Sequence, residues 1–277
     1  MKKKYLILLF VLGLSIFLYP IISNKFATTS YQDIIKKYND EILDVDKSVI
    51  DNEKEKVEKH NKELLSSSLN FSDPFTSDKE EKKDNISYYD ALSLGEIIAS
   101  VEIPKINVEI PIYHGTSSNV LSKGAGHLKK SSLPSAELGG HSVITAHRGL
   151  ATSKLFRDLD KLEIGDNFYI KVLDETIAYE VKKINSVLPN ETDWLKMDES
   201  LNQMTLLTCE PYMINTHRML VTGEKIVYNP VNKENKSKES KDNKKINTPI
   251  IISSVGLISI VIIIVYINIK RRGKYEK

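Results

Sequence analysis

The chain has 277 residues and a formal net charge of +2, from 39 Lys and Arg against 37 Asp and Glu. That length gives room for one sizeable domain with appendages or for two small ones, and the near-balanced, mixed charge excludes the clustered basic face that nucleic-acid binding requires. The single cysteine, Cys209, excludes an internal disulfide and a cysteine-based zinc site, and most lone cysteines are small buried hydrophobes.

Residues 5–22 form an apolar run behind Lys2, Lys3 and Lys4, long enough to cross a bilayer core at about 1.5 Å of rise per residue. A cleaved signal peptide would need a small-x-small site after the run. The exit instead reads Pro20-Ile21-Ile22-Ser23-Asn24-Lys25, so an uncleaved anchor over residues 1–23 is expected. A second run rich in Ile and Val occupies residues 249–269, ahead of the basic tail 270–277. It follows a polar stretch, with no domain left to bury it, and is expected to be a second transmembrane helix. The positive-inside rule then places both ends in the cytoplasm and everything between them outside. A free thiol there is exposed to oxidation, so its retention hints at use.

Residues 24–69 are polar, with Ile34, Ile35, Tyr38, Ile42, Val45 and Val49 at an early helical spacing. They predict a long helix or a broken pair, with a coiled stalk as the alternative. Residues 70–95 are a breaker-rich, charged linker containing Asp73-Pro74-Phe75. From residue 96 to 228 the character changes to short β-rich segments between Gly, Pro and Asn: 97–103, 108–113, 142–146, 167–173, 176–184, 204–208 and 219–226. Helical pieces fit residues 153–162 and 193–198. The expected fold is mainly β: a closed barrel with short helices, preceded by a helical region and flanked by two transmembrane helices. Residues 229–248 read as a low-complexity polar linker.

Three side chains stand at strand ends. Cys209 closes the run Met204-Thr205-Leu206-Leu207-Thr208, just ahead of Glu210-Pro211. His147 follows Val143-Ile144-Thr145-Ala146, and Arg218 opens the strand after the loop 211–217. A thiol reacts as its thiolate, which a nearby cation favours. An imidazole can protonate a leaving amine and deprotonate an incoming one. A guanidinium stays charged and can hold an oxyanion. Together they make an acyl-transfer set. Taken singly, each has a plainer reading: a packed thiol, a structural histidine, a surface arginine. His60, His114, His127, His141 and His217 compete with His147.

The residues Thr205-Leu206-Leu207-Thr208-Cys209, with Arg218 nine positions on and His147 in Ile144-Thr145-Ala146-His147-Arg148-Gly149, resemble the signature of the sortases over about residues 99–227. The resemblance is greatest to the pilus-assembling class C. It rests on Gly124-Ala125-Gly126-His127-Leu128, on residues 155–162, on Glu210-Pro211-Tyr212, on the second anchor, and on Asp73-Pro74-Phe75, which is similar to that class's lid motif. Ala146 and Ala151-Thr152 depart from the usual pattern around the histidine. The resemblance implies a sortase-like β-barrel and a cysteine transpeptidase acting on a Leu-Pro-x-Thr-Gly-like sorting signal. Cys209 would be the nucleophile, His147 the general acid and base, and Arg218 the oxyanion and substrate stabiliser. Thr205 and Thr208 would line the substrate site, and Asp73, Pro74 and Phe75 would form a lid. The implied partners are pilins and the membrane, with no cofactor, metal or nucleic acid. Two alternatives remain at this point: a cell-wall-anchoring sortase that uses a peptidoglycan amine, and a non-enzymatic surface stalk.

Overall fold

The N-terminal apolar run and the helical spacing behind it merge into one helix, α1 (Lys2–Leu43), whose first half is long and apolar enough to cross a membrane. The computed structural model describes residues 2–65, 73, 75, 86–196, 198 and 200–230. The expected second span, its basic tail, most of the preceding linker, and Pro74 lie outside these residues. Tyr31, Ile35, Tyr38 and Ile42 are buried on one face of α1, the three-and-four spacing that stacks side chains along one stripe of a helix. Asp44-Val45-Asp46 interrupts the helix, and α2 (Lys47–Leu65) follows. Aspartates compete for backbone hydrogen bonds and so weaken a helix interior. The broken pair is therefore what the chain adopts, and it lies on a barrel.

Specific polar contacts fix these helices in place. The Tyr38 hydroxyl donates to the Ile98 carbonyl at 3.2 Å and accepts from the Leu173 amide at 3.0 Å. Asn61 mimics a strand neighbour: its side-chain amide donates to the Leu133 carbonyl at 3.0 Å and accepts from the Leu133 amide at 2.8 Å. Glu53, buried on α2, accepts from the Leu92 amide at 2.7 Å. Tyr38→Phe leaves a buried donor and a buried acceptor unpaired. It is expected to cost about 1–3 kcal/mol, read as a lower denaturation midpoint with the barrel still folded.

The barrel has eight strands: β1 (Ala99–Ile103), β2 (Val108–His114), β3 (Ala125–His127), β4 (Gly140–Thr145), β5 (Asn167–Val172), β6 (Glu175–Val187), β7 (Asn202–Glu210) and β8 (His217–Ile226). Around the barrel they run β1-β2-β3-β4-β7-β8-β6-β5, and β5 pairs back onto β1. Seven of the strands coincide with predicted β segments. The eighth, β3, has three residues and no hydrophobic alternation. Its Gly126 is obligatory, because a Cβ there would lie 2.3 Å from the Gly115 carbonyl oxygen. The other departures are helical. Residues 153–162 keep only a 3-10 turn at Leu159–Lys161, and residues 193–198 only one at Asp193–Leu195. Two short helices, α3 (Ile86–Asp90) and α4 (Ser118–Lys123), complete the set.

Four aromatic side chains fill the seam between α2, α3 and the barrel. Tyr88 stacks on His127 and meets His114 edge-on, with His60 beside it. His127 Nε2 lies 2.8 Å from the Ser132 carbonyl, which can only accept, so Nε2 carries the proton and Nδ1 accepts from the Tyr88 hydroxyl at 3.0 Å. Burial lowers the pKa of all three histidines, that of His127 to about 3. His127 therefore stays neutral in the fold down to about pH 3, whereas the unfolded chain protonates it below about 6.5, and the shifts of His60 and His114 have the same sign. The unfolded state binds more protons between those limits, so stability falls as pH drops through that window. A urea midpoint lower at pH 5 than at pH 7 is expected; equal midpoints would contradict it.

Candidate active site

Strands β4 and β7 are parallel neighbours, with Thr145 opposite Leu207. The pairing continues past the end of β4: the Ala146 amide donates to the Leu207 carbonyl at 3.2 Å, and the Thr208 hydroxyl donates to the Ala146 carbonyl at 2.8 Å. His147 and Cys209 therefore leave the same end of the barrel on adjacent strands. On the other side of β7, Cys209 stands directly opposite Arg218 in the antiparallel ladder with β8. Directly opposed side chains share a face of the sheet, with Cβ atoms about 4.5–5.5 Å apart.

Arg218 is buried, and each of its nitrogens already has an acceptor. Nε donates to Asp73 Oδ1 at 2.7 Å and Nη2 to Asp73 Oδ2 at 2.5 Å, a bidentate pair. Nη1 donates to the Asn215 and His217 carbonyls, both at 3.0 Å. Phe75 bridges the set, its ring 5.7 Å from the His147 ring and 5.2 Å from the Arg218 guanidinium carbon. It also packs on a small apolar cluster of Leu128, Val143, Leu195, Leu207 and Leu220, apart from the main core. A cleft walled by Val187 at the end of β6 and by Pro189, Trp194 and Leu195 of the segment that follows reaches Asp73 and Arg218.

Burial is the largest influence on Cys209 and pushes its thiol pKa up. Arg218 and Arg148 oppose that shift, while the Asp73 carboxylate adds to it. Burial also lowers the pKa of His147. The arrangement thus favours a neutral thiol beside a neutral imidazole, with the guanidinium occupied by a carboxylate.

All five competing histidines have other partners, His217 through the Thr216 hydroxyl at 2.9 Å. His60, His114 and His127 belong to the aromatic seam, and His141 bonds Thr205 and the Lys196 carbonyl. Thr205 and Thr208, expected to line a substrate site, are fully buried. Thr205 bonds His141 and Thr222, and Thr208 bonds Ala146. Their hydroxyls are committed inside the barrel wall.

Sequence reasoning passed over Arg148. It is buried, lies 3.1 Å from Asp160 and 3.7 Å from Glu210, and contributes to the field at Cys209. The residue after His147 is thereby tied to the residue after Cys209. Its adjacency to the histidine in the motif was the available signal.

The sortase domain family matches residues 101–226. Among solved structures, sortase C of Streptococcus pneumoniae is 42% identical with a TM-score of 0.65, the match covering 71% of this chain and 97% of that one. Sortase C1 of Streptococcus agalactiae is 37% identical with a TM-score of 0.66, covering 72% and 96%. Sortase D of Bacillus subtilis is 33% identical over 118 residues, which is 43% of this chain and 57% of that protein. The chain thus spans little more than half the length of that curated relative.

Proposed function

Because the chain belongs to the sortase family, we propose that it is a membrane-anchored cysteine transpeptidase of the pilus-building class. In this reading Cys209 gives its thiol proton to His147, and the resulting thiolate attacks the threonine carbonyl of a Leu-Pro-x-Thr-Gly-like signal. The tetrahedral oxyanion takes hydrogen bonds from Arg218. The Thr–Gly bond breaks as His147 protonates the departing glycine amine, leaving a thioester on Cys209. A lysine amine of a second pilin then gives a proton to His147 and attacks the thioester carbon. An isopeptide bond forms and the thiolate is released.

The observation that carries this reading is the cross-strand pair of Cys209 and Arg218 at the barrel end where His147 also emerges. The Asp73 and Phe75 contacts support a resting state closed by a lid, since Asp73 holds the guanidinium that the oxyanion needs. The structural likeness to two class C enzymes supports pilins as donors and acceptors. The apolar length of α1 supports an anchor, and Lys2, Lys3 and Lys4 ahead of it support a barrel on the outer side by the positive-inside rule.

Mass spectrometry of the purified ectodomain with a panel of sorting peptides tests the proposal. The expected product is an adduct on Cys209 carrying the peptide up to its threonine, passed on to a lysine-containing acceptor peptide. No adduct with any member of the panel would overturn the transpeptidase reading. Transfer to a peptidoglycan-type amine in preference to lysine would replace pilus building with wall anchoring.

A further inference from the structure

The loop between β7 and β8 carries an apolar tip. Tyr212, Met213 and Ile214 are 46%, 78% and 67% exposed. Among the described residues beyond the apolar part of α1, they are the one run of three consecutive exposed large hydrophobics. The tip is held in shape, because the Ile214 and Asn215 amides both donate to the Pro211 carbonyl at 3.0 and 2.9 Å. Met213 and Asn215 have φ of 68° and 62°, a region that side-chain-bearing residues seldom adopt. The apolar side chains are thus presented outward by an ordered turn, at a cost in solvation that a monomeric surface rarely carries without a partner.

What covers them follows from the neighbouring loop. The Arg157 guanidinium lies over the Tyr212 ring at 5.9 Å, and its Nη2 donates to the Leu150 carbonyl at 3.0 Å. Leu150 pairs with Ser153 through backbone hydrogen bonds in both directions. The other side of that loop is fastened to α1: the Ser23 hydroxyl donates to the Ala151 carbonyl at 3.2 Å, the Lys154 amide to Asn24 Oδ1 at 2.8 Å, and the Tyr31 hydroxyl to Ser153 Oγ at 2.9 Å. Ser23 and Asn24 are the first polar residues after the apolar run 5–22. One short bracket, residues 150–157, therefore joins the point where α1 turns polar to the tip of the β7–β8 loop.

The geometry points to a lipid contact: Tyr212, Met213 and Ile214 dip into the outer interfacial layer of the bilayer beside α1, and the mouth holding Cys209 and Arg218 opens at the lipid surface. This rests on the reading of α1 as a membrane span. The composition suits that layer, where tyrosine places its ring among apolar chains and its hydroxyl among headgroups. Arg157 beside the ring supplies a cation for lipid phosphate.

The test uses the full chain in phosphatidylcholine–phosphatidylglycerol liposomes, with Cys209→Ala removing the native thiol. Single environment-sensitive labels are placed through Met213→Cys, Ile214→Cys, Ile16→Cys in α1, or Leu138→Cys, an exposed apolar site at the opposite end of the barrel. Labels at 213 and 214 are expected to shift to the blue and to be quenched several-fold more strongly than the 138 label. Spin-labelled lipids should place them about 5–10 Å into the interface. Quenching at 16 with none at 213 or 214 overturns the proposal and leaves the anchor standing. No quenching at 16 overturns the anchor, and the proposal with it.

Discussion

Cys209→Ala is expected to reduce turnover of a sorting peptide to background and to abolish the covalent adduct. The loss expected for removing a nucleophile from a set of groups that act as a unit is about 10⁴-fold or more. Nothing among the described residues can substitute, because Cys209 is the chain's only cysteine and the neighbouring Thr208 hydroxyl is bonded to the Ala146 carbonyl inside the wall. The fold should survive. Cys209 is a small side chain at the rim, and trimming it removes a single sulfur atom, a change on the scale of deleting one methylene and costing about 1 kcal/mol. Adding His147→Ala to Cys209→Ala should lower turnover no further, since a base without its nucleophile has nothing to activate. A Cys209→Ala protein that melts normally and still cleaves the peptide would end the proposed chemistry.

Opening the lid should act in the other direction. The Asp73–Arg218 pair is buried on both sides. Removing one partner of such a pair costs about 3–5 kcal/mol, which sets an upper limit of about two to nearly four powers of ten on the change in a closed-to-open ratio. Asp73→Ala relieves that cost by letting the loop leave Arg218 to solvent. Phe75→Ala removes the ring that lies against both His147 and Arg218. Either change is expected to raise the rate at which a small thiol reagent modifies Cys209 by about 10- to 100-fold.

The pH dependence has a definite sign. With the lid closed, burial raises the thiol pKa and Asp73 adds to the rise. With the lid open, both influences weaken, and Arg218 and Arg148 remain to favour the thiolate. The thiolate then forms at lower pH, so the modification profile of Asp73→Ala should shift to the acid side. Unchanged rates and an unshifted profile in both variants would remove the case for a lid.

The parts of this structure that were readable from sequence share a physical origin. Strands such as β4 and β7 declare themselves through dense β-branched and apolar runs that stop at polar turns. The three candidate groups are readable because each sits where such a run ends or begins. The parts that were not readable lack a local signature. β3 exists because Gly126 lets its backbone approach that of Gly115, a tertiary requirement with no periodicity. Arg148 carries a charge, so from sequence it reads as surface, whereas Asp160 and Glu210 draw it inward. Thr205 and Thr208 look like active-site hydroxyls from their place in the motif, and only the cross-strand register reveals that they face the barrel's own hydrogen bonds.

Cys209 and Arg218 are paired rung to rung, while the six residues that connect them through 211–216 take no part in the ladder. Sliding one strand by a single position would turn one of the two groups to the opposite face, so the ladder itself preserves their spacing. The exposed tip at residues 212–214 can therefore be exchanged without disturbing the pair, provided the turn keeps the Asn215 carbonyl on Arg218 Nη1. Replacement hairpin tips could re-address the enzyme to a different surface while the chemistry beneath them stays as it is.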